Sequence, residues 1–119
     1  MKPVREYNLE LGRPTVDEAL RRLESELRSA RLMHAPAVKL IHGYGSSGKG
    51  GRIRTACRAY LQQEKEAGHI HDFICGEDYS IFNEAARCAF AACDSLRQDR
   101  DLDNDNRGIT IVILQREKF

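Results

Sequence analysis

The residues best suited to chemistry lie together in the segment Val38-Lys-Leu-Ile-His-Gly-Tyr-Gly-Ser-Ser-Gly-Lys-Gly-Gly-Arg-Ile-Arg54. It reads as a short apolar strand, Ala37 to Ile41, then a loop with five glycines between Gly43 and Gly51, then a helix. A glycine-rich turn from a strand end into a helix start offers bare backbone N–H groups and a positive helix dipole to an anion, usually a phosphate. An imidazole, His42, stands at the entrance, and the cations Lys49, Arg52 and Arg54 follow. From Lys39 to Arg58 the chain has five Lys or Arg residues and no acid. A solvated helix face has the same composition, so charge alone leaves both readings open.

Two readings of the loop come from the residues themselves. Gly43 to Lys49 satisfies G-x-x-x-x-G-K, the phosphate loop of nucleoside triphosphatases, between a strand and a helix. The next position should offer a hydroxyl to magnesium, and here it is Gly50. The apolar strand Ile109 to Leu114 ends in Gln115-Arg116, without the aspartate that would hold the metal. The other reading is a tight turn with no ligand. Glycine costs roughly 0.5–1 kcal/mol relative to alanine where the conformation does not require it. So many glycines therefore point to close backbone approach or to positive φ.

The elements that would position this loop follow in order. Glu6 to Leu11 alternates weakly and reads as a strand exposed on one face. Thr15-Val-Asp-Glu18 is a capping box, and the helix it opens carries Val16, Ala19, Leu20, Leu23, Leu27 and Ala30 as one apolar stripe. A second helix, about 51–67, places Ile53, Cys57, Tyr60 and Leu61 on one side and ends at Gly68. A short strand spans His69 to Cys75, and Asn83 caps a third helix with Ala86, Ala89, Phe90, Cys93 and Leu96 inward. Ile109 to Leu114 is the strongest strand of the chain. The alternation of strands and helices argues for an α/β layer around a largely parallel sheet.

Composition bounds the function. The 119 residues fit a single domain, with hydrophobic and charged fractions of 41% and 31% and a net charge of +1. No apolar run nears the roughly 20 residues of a spanning helix, and the first residues lack the apolar core of a signal peptide. The expected location is the cytoplasm. The four cysteines form no C-x-x-C pair and sit among apolar neighbours, so buried free thiols are expected. Asp99, Asp101, Asp103 and Asp105 alternate, but the glycine and closing glutamate of a calcium loop are missing. A solvated acidic loop is expected there.

Three motifs carry a resemblance. Ile41-His42-Gly43-Tyr44-Gly45 followed by Gly51-Arg52-Ile53-Arg54 resembles the H-G-x-G … G-x-L-R signature of the Smr (small MutS-related) domain, split by a short insertion around Ser46 to Gly50. Thr15 to Leu20 is similar to the T-V-E-E-A-L start of that family's first helix, and Gly108 to Leu114 to its closing G-x-T-x-V-x-L strand. The resemblance implies an α+β two-layer sandwich with a mixed four-stranded sheet in βαβαβ(α)β order, similar to the C-terminal domain of translation initiation factor three. Residues 1–119 would form one such domain, with an insert at about 76–106 where the family usually has a short loop.

Nucleic-acid binding is also implied, with nicking of DNA or cleavage of RNA in several members. On this template His42 and Glu10 are the catalytic candidates, and Gly43, Gly45, Gly48, Lys49, Gly51, Arg52 and Arg54 would hold the phosphate. Cleavage would draw on magnesium or manganese, if on any metal; no residue is assigned to one. The family's L-D-x-H motif becomes Leu9-Glu10-Leu11-Gly12, so the carboxylate persists and the histidine position has no side chain. His34, His69 and His71 are the remaining histidines that could take that place. The alternative is a non-catalytic module that docks on a protein or ribonucleoprotein through residues 77–96, where Tyr79, Ile81 and Phe82 precede the third helix.

Overall fold

The computed structural model describes residues 4–43 and 49–114, the side chain of Lys49 excepted. Four strands, β1 (Arg5–Asn8), β2 (Ala37–Ile41), β3 (Asp72–Cys75) and β4 (Ile109–Ile113), form one sheet in the order β1-β2-β4-β3. Three α-helices, α1 (Val16–Leu32), α2 (Lys49–Glu66) and α3 (Glu84–Ala92), alternate with them, and 3₁₀ turns lie at Gly76–Asp78 and Asp94–Gln98. β1 pairs parallel to β2, while β4 pairs antiparallel to both β2 and β3. Strands β1, β2 and β3 thus point the same way, and β4 is threaded between two of them in reverse. The expectation of a largely parallel sheet holds for strand direction but not for pairing, since two of the three ladders are antiparallel.

The helix signals act as the sequence predicts. Thr15 Oγ1 accepts from the Glu18 N–H at 3.1 Å, and Asn83 Oδ1 from the Ala86 N–H at 3.1 Å. Gly68 takes φ +79 just beyond α2, where a β-carbon would be strained. β1 stops short of the predicted Leu11. Asn8 Oδ1 accepts from the Glu10 N–H, Glu10 O accepts from the Arg13 N–H, and Gly12 turns the chain with φ +80. Leu11 is left 69% exposed. The strand predicted from His69 begins at Asp72, because the N–H of His69 is used on Glu64 O at the end of α2.

Each sheet face has its own core. Val38, Leu40 and Val112 face α1 and α2, meeting Leu23, Leu27, Ile53, Cys57 and Leu61. Ala37, Ile74, Ile109, Ile111 and Ile113 face the other way, onto Tyr79, Ala86, Ala89, Phe90 and Leu96. The sheet with α1 and α2 makes the two-layer sandwich, and the segment 76–106 covers the second face. Cys57 and Cys93 are buried as expected, but Cys75 is only partly buried and Cys88 is exposed. Cys88 lies on the outer side of α3, whose inner side is Ala86, Ala89 and Phe90.

The acidic loop corrects a second expectation. Lys39, on the central strand β2, is fully buried on the α3 side of the sheet, and its Nζ lies 2.6 Å from Asp99 Oδ1, 2.5 Å from Asp101 Oδ2 and 3.2 Å from Glu6 Oε1. Burial works against the lysine's charge, but the hydrogen bonds it donates to Asp101 and Asp99 outweigh it and hold its pKa above the usual value. Two of the four aspartates are therefore ligands of an internal cation rather than a solvated face. Asp103 and Asp105 keep the exposure expected of the run, Asp103 also accepting from the Ile81 N–H and Asp105 lying beside Arg107.

Candidate functional site

The C-terminal ends of β1, β2 and β3 lie at one end of the sheet, together with the N-terminus of α2. β2 runs on into His42 and Gly43, whose N–H groups both donate to Gly108 O, at 2.9 and 3.0 Å. That anchors the glycine loop's entrance to the turn preceding β4. Gly43 takes φ +68, and a β-carbon there would collide with the Glu10 carboxylate. The positive φ is what favours glycine here, since the Glu10 carboxylate, at the end of a flexible side chain, can swing away from a β-carbon.

His42 has no solvent exposure. Its Nδ1 lies 2.7 Å from Gly43 O and its Nε2 2.8 Å from Thr110 Oγ1. A carbonyl oxygen only accepts, so Nδ1 carries the proton, Nε2 is bare, and the Thr110 hydroxyl donates to it. Thr110 Oγ1 in turn accepts from Arg58 Nε at 3.4 Å, and the Arg58 guanidinium grips Glu77 with two hydrogen bonds of 2.9 and 2.7 Å. Burial, reinforced by the nearby positive charges of Arg58 and Arg54, pushes the His42 pKa down to about 4. The imidazole is neutral at physiological pH with both nitrogens engaged. Burial opposes ionisation of Glu77, but the Arg58 fork outweighs it and holds the carboxyl below its usual range.

The sequence candidates separate under this geometry. Glu10, half-buried in the turn after β1, brings its carboxylate against Gly43, and that carboxylate makes no hydrogen bond or ion pair with another described side chain. Arg54 is half-buried, close enough for its charge to act on both His42 and Glu77. Gly51 sits in the first turn of α2, its O accepting from Thr55 Oγ1, and Arg52 points outward to solvent. Gly45, Gly48 and the Lys49 side chain fall outside the described residues. Gly12 occupies an open turn with nothing within 4 Å of a notional β-carbon.

None of the other histidines replaces it. His34 follows α1 just before β2, and the His71 N–H donates to Ile113 O, level with Ala37 at the start of β2. His69, next to it, bonds Glu64. All three lie at the opposite end of the sheet from His42, which corrects the expectation that one could serve as its partner. Lys39 also leaves the basic cluster, because its charge is spent on the other face.

Three residues of the site were not among the sequence candidates: Thr110, Arg58 and Glu77. Thr110 had a visible signal, since it is the only polar position in the otherwise aliphatic strand Ile109–Ile113. Arg58 had a weaker one, lying one helical turn beyond Arg54 on the same face of α2. Glu77 had none, because its link to Arg58 exists only through the fold. Among the described residues no group of three His, Cys, Asp or Glu side chains is placed to hold a metal ion. Nor is any helix long and apolar enough to cross a membrane.

A four-stranded mixed sheet with helices on it, and β2 ending at His42 and Gly43 near Arg54 and Arg58 of α2, define an α+β domain. The family model described as the Smr domain matches residues 9–76, more than half of the sequence, and the chain belongs to that family. The family is known for nucleic-acid binding and nuclease activity. Among solved structures, the Smr domain of Thermus thermophilus MutS2 is similar, with 25% identity, a TM-score of 0.58, and coverage of 94% of this chain and 99% of that one. No curated protein sequence matches the chain.

Proposed function

We propose that this domain binds the sugar-phosphate backbone of a nucleic acid at the C-terminal end of β2. The observation that supports it best is the convergence there of the glycine entrance, the first turn of α2, whose N–H groups have no carbonyl partner within the helix, and Arg54. An 18-residue helix gives this N-terminus a developed dipole, and α2 has no acidic residue in its first turn to satisfy it internally. Arg52, exposed on the first turn, extends the cationic surface along a phosphodiester chain.

Cleavage is the further step of this reading, and Glu10 is the group suited to it. Its carboxylate has no side-chain partner among the described residues and adjoins Gly43, so it can take the proton of an attacking water or ribose hydroxyl. Arg54 and the helix N–H groups then hold the charge that grows on the phosphorus oxygens. His42 acts as a positioning residue that fixes the Gly43 backbone, because neither ring nitrogen is open to substrate in this arrangement. Magnesium or manganese would be held by Glu10 together with substrate phosphate oxygens, a donor set these ions accept, and would neutralise developing charge.

Fluorescence anisotropy with labelled single- and double-stranded DNA and RNA at 20 to 200 mM salt tests binding. Affinity is expected to fall with salt, and Arg54→Ala to reduce the slope of log K against log salt by about 0.7 on a single strand. Absence of binding at the lowest salt rejects the reading. Nicking of supercoiled DNA and cleavage of RNA, with and without divalent metal, tests the second step, with Glu10→Gln expected to abolish it. Equal rates for Glu10→Gln and wild type would remove Glu10 from catalysis and leave binding standing.

A further inference from the structure

The segment 76–107 does not share the character of the rest of the chain. It carries eight carboxylates against four arginines, whereas the remainder carries fifteen Lys or Arg against ten carboxylates. Asp99 and Asp101 face Lys39, and Glu77 grips Arg58, so this cover leaves five carboxylates exposed against four arginines. Its excess of acid gathers about the start of its helix, at Asp78, Glu84 and Asp103 against Arg87, and repels a phosphate backbone there.

At the start of the acidic cover's helix stand two bare apolar side chains, Ile81 at 46% and Phe82 at 84% exposure. They are not on a loose loop. The Ile81 N–H donates to Asp103 Oδ1 at 3.1 Å, and Ile81 O accepts from Arg87 Nη1 at 3.1 Å. The Phe82 N–H donates to Ser80 Oγ at 3.2 Å, and the Asn83 N–H to Ser80 O at 3.0 Å. Two residues earlier Tyr79 is buried, its hydroxyl donating to Leu96 O. The backbone that displays Phe82 is thus fixed from both sides while the ring itself stands in water. Exposed carboxylates outnumber cations around the pair: Asp78 and Glu84 flank it in sequence and Asp103 bonds Ile81, against the one guanidinium of Arg87.

From this juxtaposition we infer that Ile81 and Phe82 form a docking point for a basic protein segment, one that places an aliphatic cluster between lysines or arginines. The apolar pair supplies the anchor, and the surrounding carboxylates select a cationic partner and exclude phosphates. Preorganisation of the loop means that little ordering is needed on this side when the partner binds. This inference does not depend on the nucleic-acid reading.

The test is a ¹⁵N NMR titration of the full chain with three probes: an amphipathic Leu/Lys peptide, its Leu/Glu counterpart, and a single-stranded oligonucleotide. The Leu/Lys peptide is expected to shift the amides of residues 78–87, and the Leu/Glu peptide to leave them unmoved. Phe82→Ser is expected to weaken the Leu/Lys peptide roughly tenfold, the scale of losing an aromatic anchor. Asp78→Asn with Glu84→Gln is expected to weaken it further as salt dependence falls. Because the Phe82 ring is in solvent, an unchanged melting temperature will show that the variant is folded. Absence of binding, shifts located elsewhere, or indifference to Phe82→Ser overturns the inference. So do shifts of Ile81 and Phe82 by the oligonucleotide, which would give this surface to nucleic acid.

Discussion

Replacing Thr110 by valine removes one hydroxyl from the centre of the site with almost no change of shape. The hydroxyl donates to His42 Nε2 at 2.8 Å and accepts from Arg58 Nε at 3.4 Å, and both Thr110 and His42 are fully buried. In the valine variant the bare Nε2 has no donor and no water, and a buried unsatisfied acceptor costs about 1–3 kcal/mol. Arg58 loses less, since its fork to Glu77 remains. For a domain of this size each kcal/mol corresponds to about 4 °C in Tm, so a fall of roughly 4–12 °C is expected at pH 7. Circular dichroism melts measure it, with Thr110→Ser expected to recover most of the loss. Long-range ¹H–¹⁵N correlation of the imidazole should show the Nδ1–H tautomer in wild type. A valine variant that melts with wild type and keeps the same tautomer would show that Thr110 does not hold His42 and would break the proposed chain of contacts.

Other perturbations reach the rest of the account. His42 has a folded pKa of about 4, below its ordinary 6.5, so the unfolded chain takes up a proton that the folded one refuses. Its contribution to stability is complete above pH 6.5 and is lost as pH falls through about 4, a total of about 3 kcal/mol. NMR of the ring should show no titration of His42 above about pH 5, and a midpoint near 6.5 would contradict the buried neutral ring. Lys39→Met leaves Asp99 and Asp101 facing each other without a cation and should cost about 3–5 kcal/mol in urea unfolding. Adding Asp99→Asn and Asp101→Asn to that variant should restore much of it; a lone Lys39→Met as stable as wild type would show that the buried charge cluster is not formed.

Much of the architecture was legible because its signals are local. The Thr15 and Asn83 caps, Gly68 beyond α2 and the apolar runs of β2 and β4, each interrupted once, are read from a few adjacent residues, and the structure uses them as read. The motif Gly108 to Leu114 pointed to the family and also contained Thr110, whose role appears only when β2 and β4 pair. The direction of β4 was not legible from alternation, because the segment after Gly76 lets the last strand enter between two others in reverse. Lys39 and the aspartates were misread for a related reason. A lysine in a strand and an alternating Asp run each favour solvent when taken alone, and only a fold that joins positions sixty residues apart buries them as one ionic group. His42 was placed correctly at the loop entrance, but its burial depends on Thr110, Arg58 and Gly43 meeting around it. Sequence spacing cannot encode that.

The claim that the C-terminal end of β2 receives a nucleic-acid backbone is tested most directly by ¹⁵N NMR titration with short single-stranded DNA and RNA at low salt. Shifts are expected at Gly43, at the amides of the first turn of α2, and at the Arg54 side chain, fading as salt is raised. Shifts confined to other surfaces, or none at any salt concentration, would contradict it.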